Sequence, residues 1–149
     1  MEKQWHYQKP CAAVGKEITS SNMKKIISTP SAPGAIGPYN QGVVFNGLLY
    51  ASGQIAIDPA TGELVQGNIA DETRQVLKNV GGILEAAGSS YDDVLKVSVF
   101  VKDMHQYGQI NAVYAEFFKP ENAPARELVE VANLPKFVNI EISVIAAVK

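Results

Sequence analysis

The chain has 149 residues, a formal net charge of −2, and a composition that is 46% hydrophobic and 19% charged. That length suits one domain able to bury its own core, and the composition excludes disorder over most of the chain. The acidic balance and the lack of any Lys/Arg block argue against a nucleic-acid partner, since phosphate neutralisation supplies most of such affinity. Only two of the thirteen basic residues, Arg74 and Arg126, are arginines. A lone cysteine, Cys11, leaves no internal disulfide and fits a reducing, cytoplasmic setting. Cys11, His6 and His105 show no metal-ligand spacing, and no metal is expected. No apolar run approaches the roughly 20 residues of a membrane span, so no membrane partner is expected.

Residues 1–22 lack a hydrophobic stretch and contain no arginine; they are read as an N-terminal extension, flexible or added in cloning. Residues 23–149 are read as a single domain. Lys24 to Ser28 predicts a short strand, and Pro30 to Pro38 a turn-rich loop. Gly42 to Ser52 predicts two strands joined at Asn46-Gly47, two residues that tolerate positive φ. Asp58 to Gly62 is a second turn. Asn68 to Ala87 predicts a helix, with Ile69, Thr73, Val76, Leu77, Val80, Ile83, Leu84 and Ala87 on one stripe. Asn68 caps its start and Gly88 closes its end.

Val94 to Val101 predicts a strand with Leu95, Val97, Val99 and Val101 on one face and Lys96, Ser98 and Phe100 on the other. Asp103 opens a second helix whose stripe is Met104, Tyr107, Ile110, Tyr114, Phe117 and Phe118. Arg126 to Ala132 and Asn139 to Val148 are the closing strands. The order predicts an α+β fold, a mainly antiparallel sheet with two helices on one face. In the last strand Ile140, Ile142, Val144, Ala146 and Val148 form the helix-facing side. Glu141, Ser143, Ile145 and Ala147 form the other, joined by Phe100 and Leu128. That second face is too apolar for a solvated one, which predicts that another subunit covers it.

Small, polar and special residues gather in four places: Gly37-Pro38-Tyr39-Asn40-Gln41-Gly42, Ser52-Gly53-Gln54-Ile55, Asn111 with Tyr114, and Pro124-Ala125-Arg126 followed by Val129 to Pro135. Taken in order, these motifs resemble the RidA/YjgF family of reactive-intermediate deaminases, over Met23 to Lys149. The resemblance implies a chorismate-mutase-like fold assembled as a homotrimer, with sites in the clefts between subunits. It implies hydrolysis of 2-iminobutanoate and 2-iminopropanoate to 2-oxo acids and ammonia, with no cofactor.

Arg126 matches the family's substrate-binding arginine, and a guanidinium fork suits a carboxylate. The competing reading is a surface ion pair with Glu127 or Glu130. Glu141 matches a glutamate that holds the attacking water; burial on a half-apolar face would raise its pKa and suit it to act as a base. Tyr39 is expected to line the pocket and to share in catalysis, or else simply to pack. Ser52, Gly53, Asn111 and Leu128 complete the expected substrate-binding set, with Asn111 either ordering the site or tying helix to strand. Gln41 and Gln54 read as structural. Two departures stand out: Leu128 replaces a cysteine common in the family, and Ala132-Asn133-Leu134-Pro135 lacks an arginine many members carry. The alternatives are a ribonuclease or translation inhibitor, and a non-enzymatic 2-oxo acid sensor or chaperone on the same trimer.

Overall fold

A computed structural model describes residues 23–149, so the expected extension over residues 1–22, with Cys11 and His6, lies outside the described residues. Six strands form one sheet: β1 (Lys25–Ile27), β2 (Gly42–Phe45), β3 (Leu48–Ala51), β4 (Val94–Val101), β5 (Ala125–Glu130) and β6 (Ile140–Ala147). Two helices, α1 (Ile69–Ala86) and α2 (Tyr107–Phe117), pack on one face of it. The strand order is β1-β2-β3-β6-β4-β5. Every neighbouring pair is antiparallel except β4 and β5, which run parallel. Parallel neighbours need a long crossover, and α2 supplies it.

Local chemistry accounts for these elements. The β2–β3 turn places Asn46 at φ 50° and Gly47 at φ 75°, the left-handed pair that a two-residue hairpin demands. The Asn68 side chain accepts the Asp71 N–H at 2.9 Å to cap α1. All eight residues expected on the α1 stripe are buried, and Val76, Leu77, Val80 and Ile83 are fully so. They meet the inward side chains Ile140, Ile142, Val144 and Ala146 of β6.

Three expectations about facing need correction. Leu95 points outward at 51% exposure while Val94 is buried, because a register shift between Val94 and Lys96 makes Leu95 an extra, bulged residue. Leu128 belongs to the helix side of the sheet: it pairs with buried Val99 and packs against the core. Met104 and Tyr107 are 37% and 43% exposed rather than part of the core stripe. A 3-10 turn over Met104–Gln106 precedes α2 and rotates both residues off the buried side, and Val113 is buried in α2 with Ile110 and Tyr114. Among the described residues no helix is long and apolar enough to cross a membrane.

Candidate functional site

Arg126 lies near the start of β5, directly across from Val97 of β4. Val97 points at the helices, so Arg126 does too, and its guanidinium reaches α2. Nη1 donates to Asn111 Oδ1 at 2.9 Å and Nη2 donates to the Tyr107 hydroxyl at 3.2 Å. The Cζ atom lies 4.5 Å from the centroid of the Tyr114 ring. Tyr107, Asn111 and Tyr114 fall at i, i+4 and i+7, one stripe of the helix. Burial pushes the Tyr114 phenol upward in pKa, partly opposed by the Arg126 charge.

The surface ion pair does not form. Glu127 turns to Lys96 and Ser98, and Glu130 accepts the Met104 N–H at 2.7 Å. Arg74, by contrast, is engaged by Glu116 and Asp71. Among the described residues no carboxylate neutralises Arg126. A half-buried cation held only by neutral acceptors is poised to take an anion from outside.

A second group of expected residues lines a cleft of about 360 Å³ walled by Ile36, Tyr39, Ser52, Gly53, Pro135 and Glu141. Glu141 is half-buried there, and burial raises its pKa. Gly53 lies against it so closely that an added Cβ would stand 1.9 Å from Glu141 Oε1. The Ser52 hydroxyl donates to the Asn40 carbonyl at 2.5 Å, leaving its lone pairs open. The Tyr39 hydroxyl accepts the Ile36 N–H at 3.3 Å and keeps its proton to donate.

Gln41 and Gln54 are structural, as expected. Buried Gln41 gathers the Thr29, Ala32 and Pro33 carbonyls at 2.9 to 3.0 Å, which fixes the loop carrying Tyr39. Gln54 extends the pairing of β3 with β6 through a backbone bridge to Ile142.

Within one protomer these two groups stay apart. Arg126 shares a row of the sheet with Val97 and Val144, whereas Glu141 shares one with Phe100 and Val129. Two inter-strand spacings and three positions separate them, roughly 14 Å between α-carbons from ordinary sheet geometry. Their side chains also leave opposite faces, because Glu141 alternates with buried Ile140 and Ile142. Arg126 and Asn111 are therefore one cluster, with Leu128 two residues further along the same side of β5. Tyr39, Ser52, Gly53 and Glu141 are another.

The model of the family described as endoribonuclease L-PSP matches residues 29–148. The chain belongs to this family, that of RidA and YjgF. A RutC family protein of Pyrococcus horikoshii is 55% identical over 124 residues, 83% of this chain and 98% of that protein. The 2-iminobutanoate/2-iminopropanoate deaminase of Homo sapiens is 46% identical over 127 residues, 85% of this chain and 92% of that one. Among solved structures, the YjgF gene product of E. coli superposes with a TM-score of 0.79 at 49% identity, covering 84% of this chain and 99% of that one. E. coli TdcF, solved with bound serine, gives 0.79 at 46% identity over 84% of this chain and 99% of its own. The expected α+β fold is thus that of the RidA/YjgF proteins.

In this RidA/YjgF chain two supporting residues escaped the sequence reading. Asn79 of α1 is fully buried and donates to the Ile55 and Ile57 carbonyls at 3.0 and 2.8 Å. It ties the cleft wall to the helix; an amide on the margin of an apolar stripe was its only signal. The Tyr107 hydroxyl was hidden because an aromatic at helical spacing reads as core. Among the described residues no cluster of three or more His, Cys, Asp or Glu gathers to hold a metal.

Proposed function

We propose that this protein hydrolyses the imines of short 2-oxo acids, 2-iminobutanoate and 2-iminopropanoate, to the oxo acid and ammonia. The observation that carries this reading is Arg126: a cation with no carboxylate partner among the described residues, held by Asn111, Tyr107 and the Tyr114 ring. The deaminase name borne by the human relative at 46% identity supports it.

In this reading a complete site needs two copies of the chain, one giving Arg126 with Asn111 and Leu128, its neighbour giving Tyr39, Ser52, Gly53 and Glu141. The assembly is a homotrimer with its sites between subunits. Arg126 grips the substrate carboxylate through paired charge-assisted hydrogen bonds and fixes the imine carbon. A water beside Glu141 attacks that carbon and loses a proton to the carboxylate. Glu141 passes that proton to nitrogen, giving a carbinolamine; the carboxylate then carries the carbinolamine hydroxyl proton to the amine, the C–N bond breaks, and ammonia leaves as the carbonyl forms. One water is consumed for each ammonia released. Tyr39 and Ser52 hold the water and the nitrogen through their free hydroxyl valences.

A threonine dehydratase supplying the imine in solution provides the assay. Wild-type protein should speed 2-oxobutanoate release, and Arg126→Ala should lose about 100-fold or more of that rate while its circular dichroism stays unchanged. Retained activity in Arg126→Ala would overturn the role. RNA cleavage by the same preparation, unaffected by that substitution, would favour the ribonuclease reading instead.

A further inference from the structure

Tyr107 stands out among the aromatic residues of α2. It opens the helix, is 43% exposed, and sets its hydroxyl 3.2 Å from Arg126 Nη2. Its ring centroid is 5.8 Å from Arg126 Cζ. Asn111, one turn on, takes the other terminal nitrogen, and the buried Tyr114 ring lies against the guanidinium. A guanidinium has five N–H donors, so two hydrogen bonds leave the rest for a ligand.

These contacts divide the work. Packing on Tyr114 sets where the guanidinium lies. Packing alone leaves it free to swing within its own plane. A single hydrogen bond to Asn111 fixes one point of that plane and still permits rotation about it. A second acceptor on the other terminal nitrogen removes this rotation. Both acceptors come from one helix, at i and i+4, so their spacing is rigid. An arginine held this way binds a planar carboxylate without first losing its own rotational freedom.

We propose that Tyr107 is a positioning residue, whose hydroxyl sets the orientation in which the Arg126 fork meets the substrate carboxylate. This rests on the reading of Arg126 as the carboxylate anchor. The residue acts on how tightly and in what pose the anion is held. Within one protomer Tyr107 lies on the arginine side of the sheet and Glu141 on the other, so the effect of Tyr107 is on binding through Arg126.

Tyr107→Phe keeps the ring and the helix start and removes only the hydroxyl. Its dissociation constant for 2-oxobutanoate, by titration calorimetry, should rise about 3- to 10-fold, the worth of one hydrogen bond. KM for the imine should rise by the same factor, with kcat within about two-fold of wild type and the thermal midpoint unchanged. Wild-type binding and KM in Tyr107→Phe, or a fall in thermal midpoint and kcat together with them, would overturn the assignment. Arg126→Ala separates the two levels. If it loses 2-oxobutanoate binding while Tyr107→Phe does not, only Tyr107 is misassigned. If it binds as wild type does, the anchor reading fails and the Tyr107 proposal with it.

Discussion

A methyl group placed on Gly53 would stand 1.9 Å from Glu141 Oε1, closer than any real contact. The atom in its way is the end of a flexible side chain, so the backbone need not move. Gly53→Ala should therefore fold with a thermal midpoint close to wild type and still lose most imine turnover, because the carboxylate must leave its place. Measuring the midpoint and kcat side by side checks this. Glu141 itself carries a cost: burial raises its pKa above the ordinary glutamate value. The native carboxyl thus binds a proton more readily than the unfolded one, and its contribution to stability falls as pH climbs from the ordinary range through the raised native value. Glu141→Gln does not titrate. It should be inactive, equal to wild type in stability below the ordinary glutamate range, and increasingly more stable as pH rises above that range. Urea midpoints across these pH values read the trend, and a variant that loses ground as pH rises would contradict it.

Among the elements, α1 and the β2–β3 hairpin were legible because their signals are local. An apolar stripe with an asparagine cap, and Asn-Gly between two apolar runs, each specify one geometry over a few residues. Strand facing was harder. The inward set Val97, Val99 and Val101 was readable by alternation, but nothing in the sequence marks the bulge that turns Leu95 out. In β5 both alternating sets mix charge with apolar carbon: Arg126, Leu128 and Glu130 against Glu127 and Val129. Only the parallel register with β4 decides that Arg126 and Leu128 face the helices. The candidate site was legible as residues, through the motifs, and not as geometry, since register is a long-range property. Asn79 shows the same limit, because its partners lie 22 and 24 residues away in the chain. Asn79→Ala should cost about 1–3 kcal/mol by leaving two carbonyls without their donor. It should also raise KM by loosening the Gln54–Ile57 wall. Urea unfolding and steady-state kinetics test the two effects separately.

At the scale of the whole molecule, the face of the sheet away from the helices is the unfinished part. Ile26, Val43, Tyr50 and Ile145 form a registered row across it, with Ile26 and Tyr50 45% and 47% exposed. Phe100 stands beside Glu141 on the same face, with Val129 beyond it. In the proposed trimer a neighbouring copy covers this surface, and the arginine cluster lies on the other side of the sheet. A contact that brings the arginine side of one copy to the glutamate side of the next joins two different surfaces, and such contacts close into a ring when the rotation between copies closes, as in the proposed trimer. This arrangement makes a prediction that a single-chain site does not share. Arg126→Ala and Glu141→Gln should each be inactive alone. Mixed in equal amounts, denatured and refolded together, they should regain about one quarter of wild-type activity, since a random ring pairs an intact Arg126 with an intact neighbouring Glu141 at that frequency. Mixing without unfolding should give less, in proportion to how slowly subunits exchange. Sedimentation of the refolded mixture establishes that the ring has re-formed, and for the expected homotrimer it should show three chains. If re-formed rings have no activity, each chain must complete its own site, and the division of Arg126 and Glu141 between neighbours is wrong.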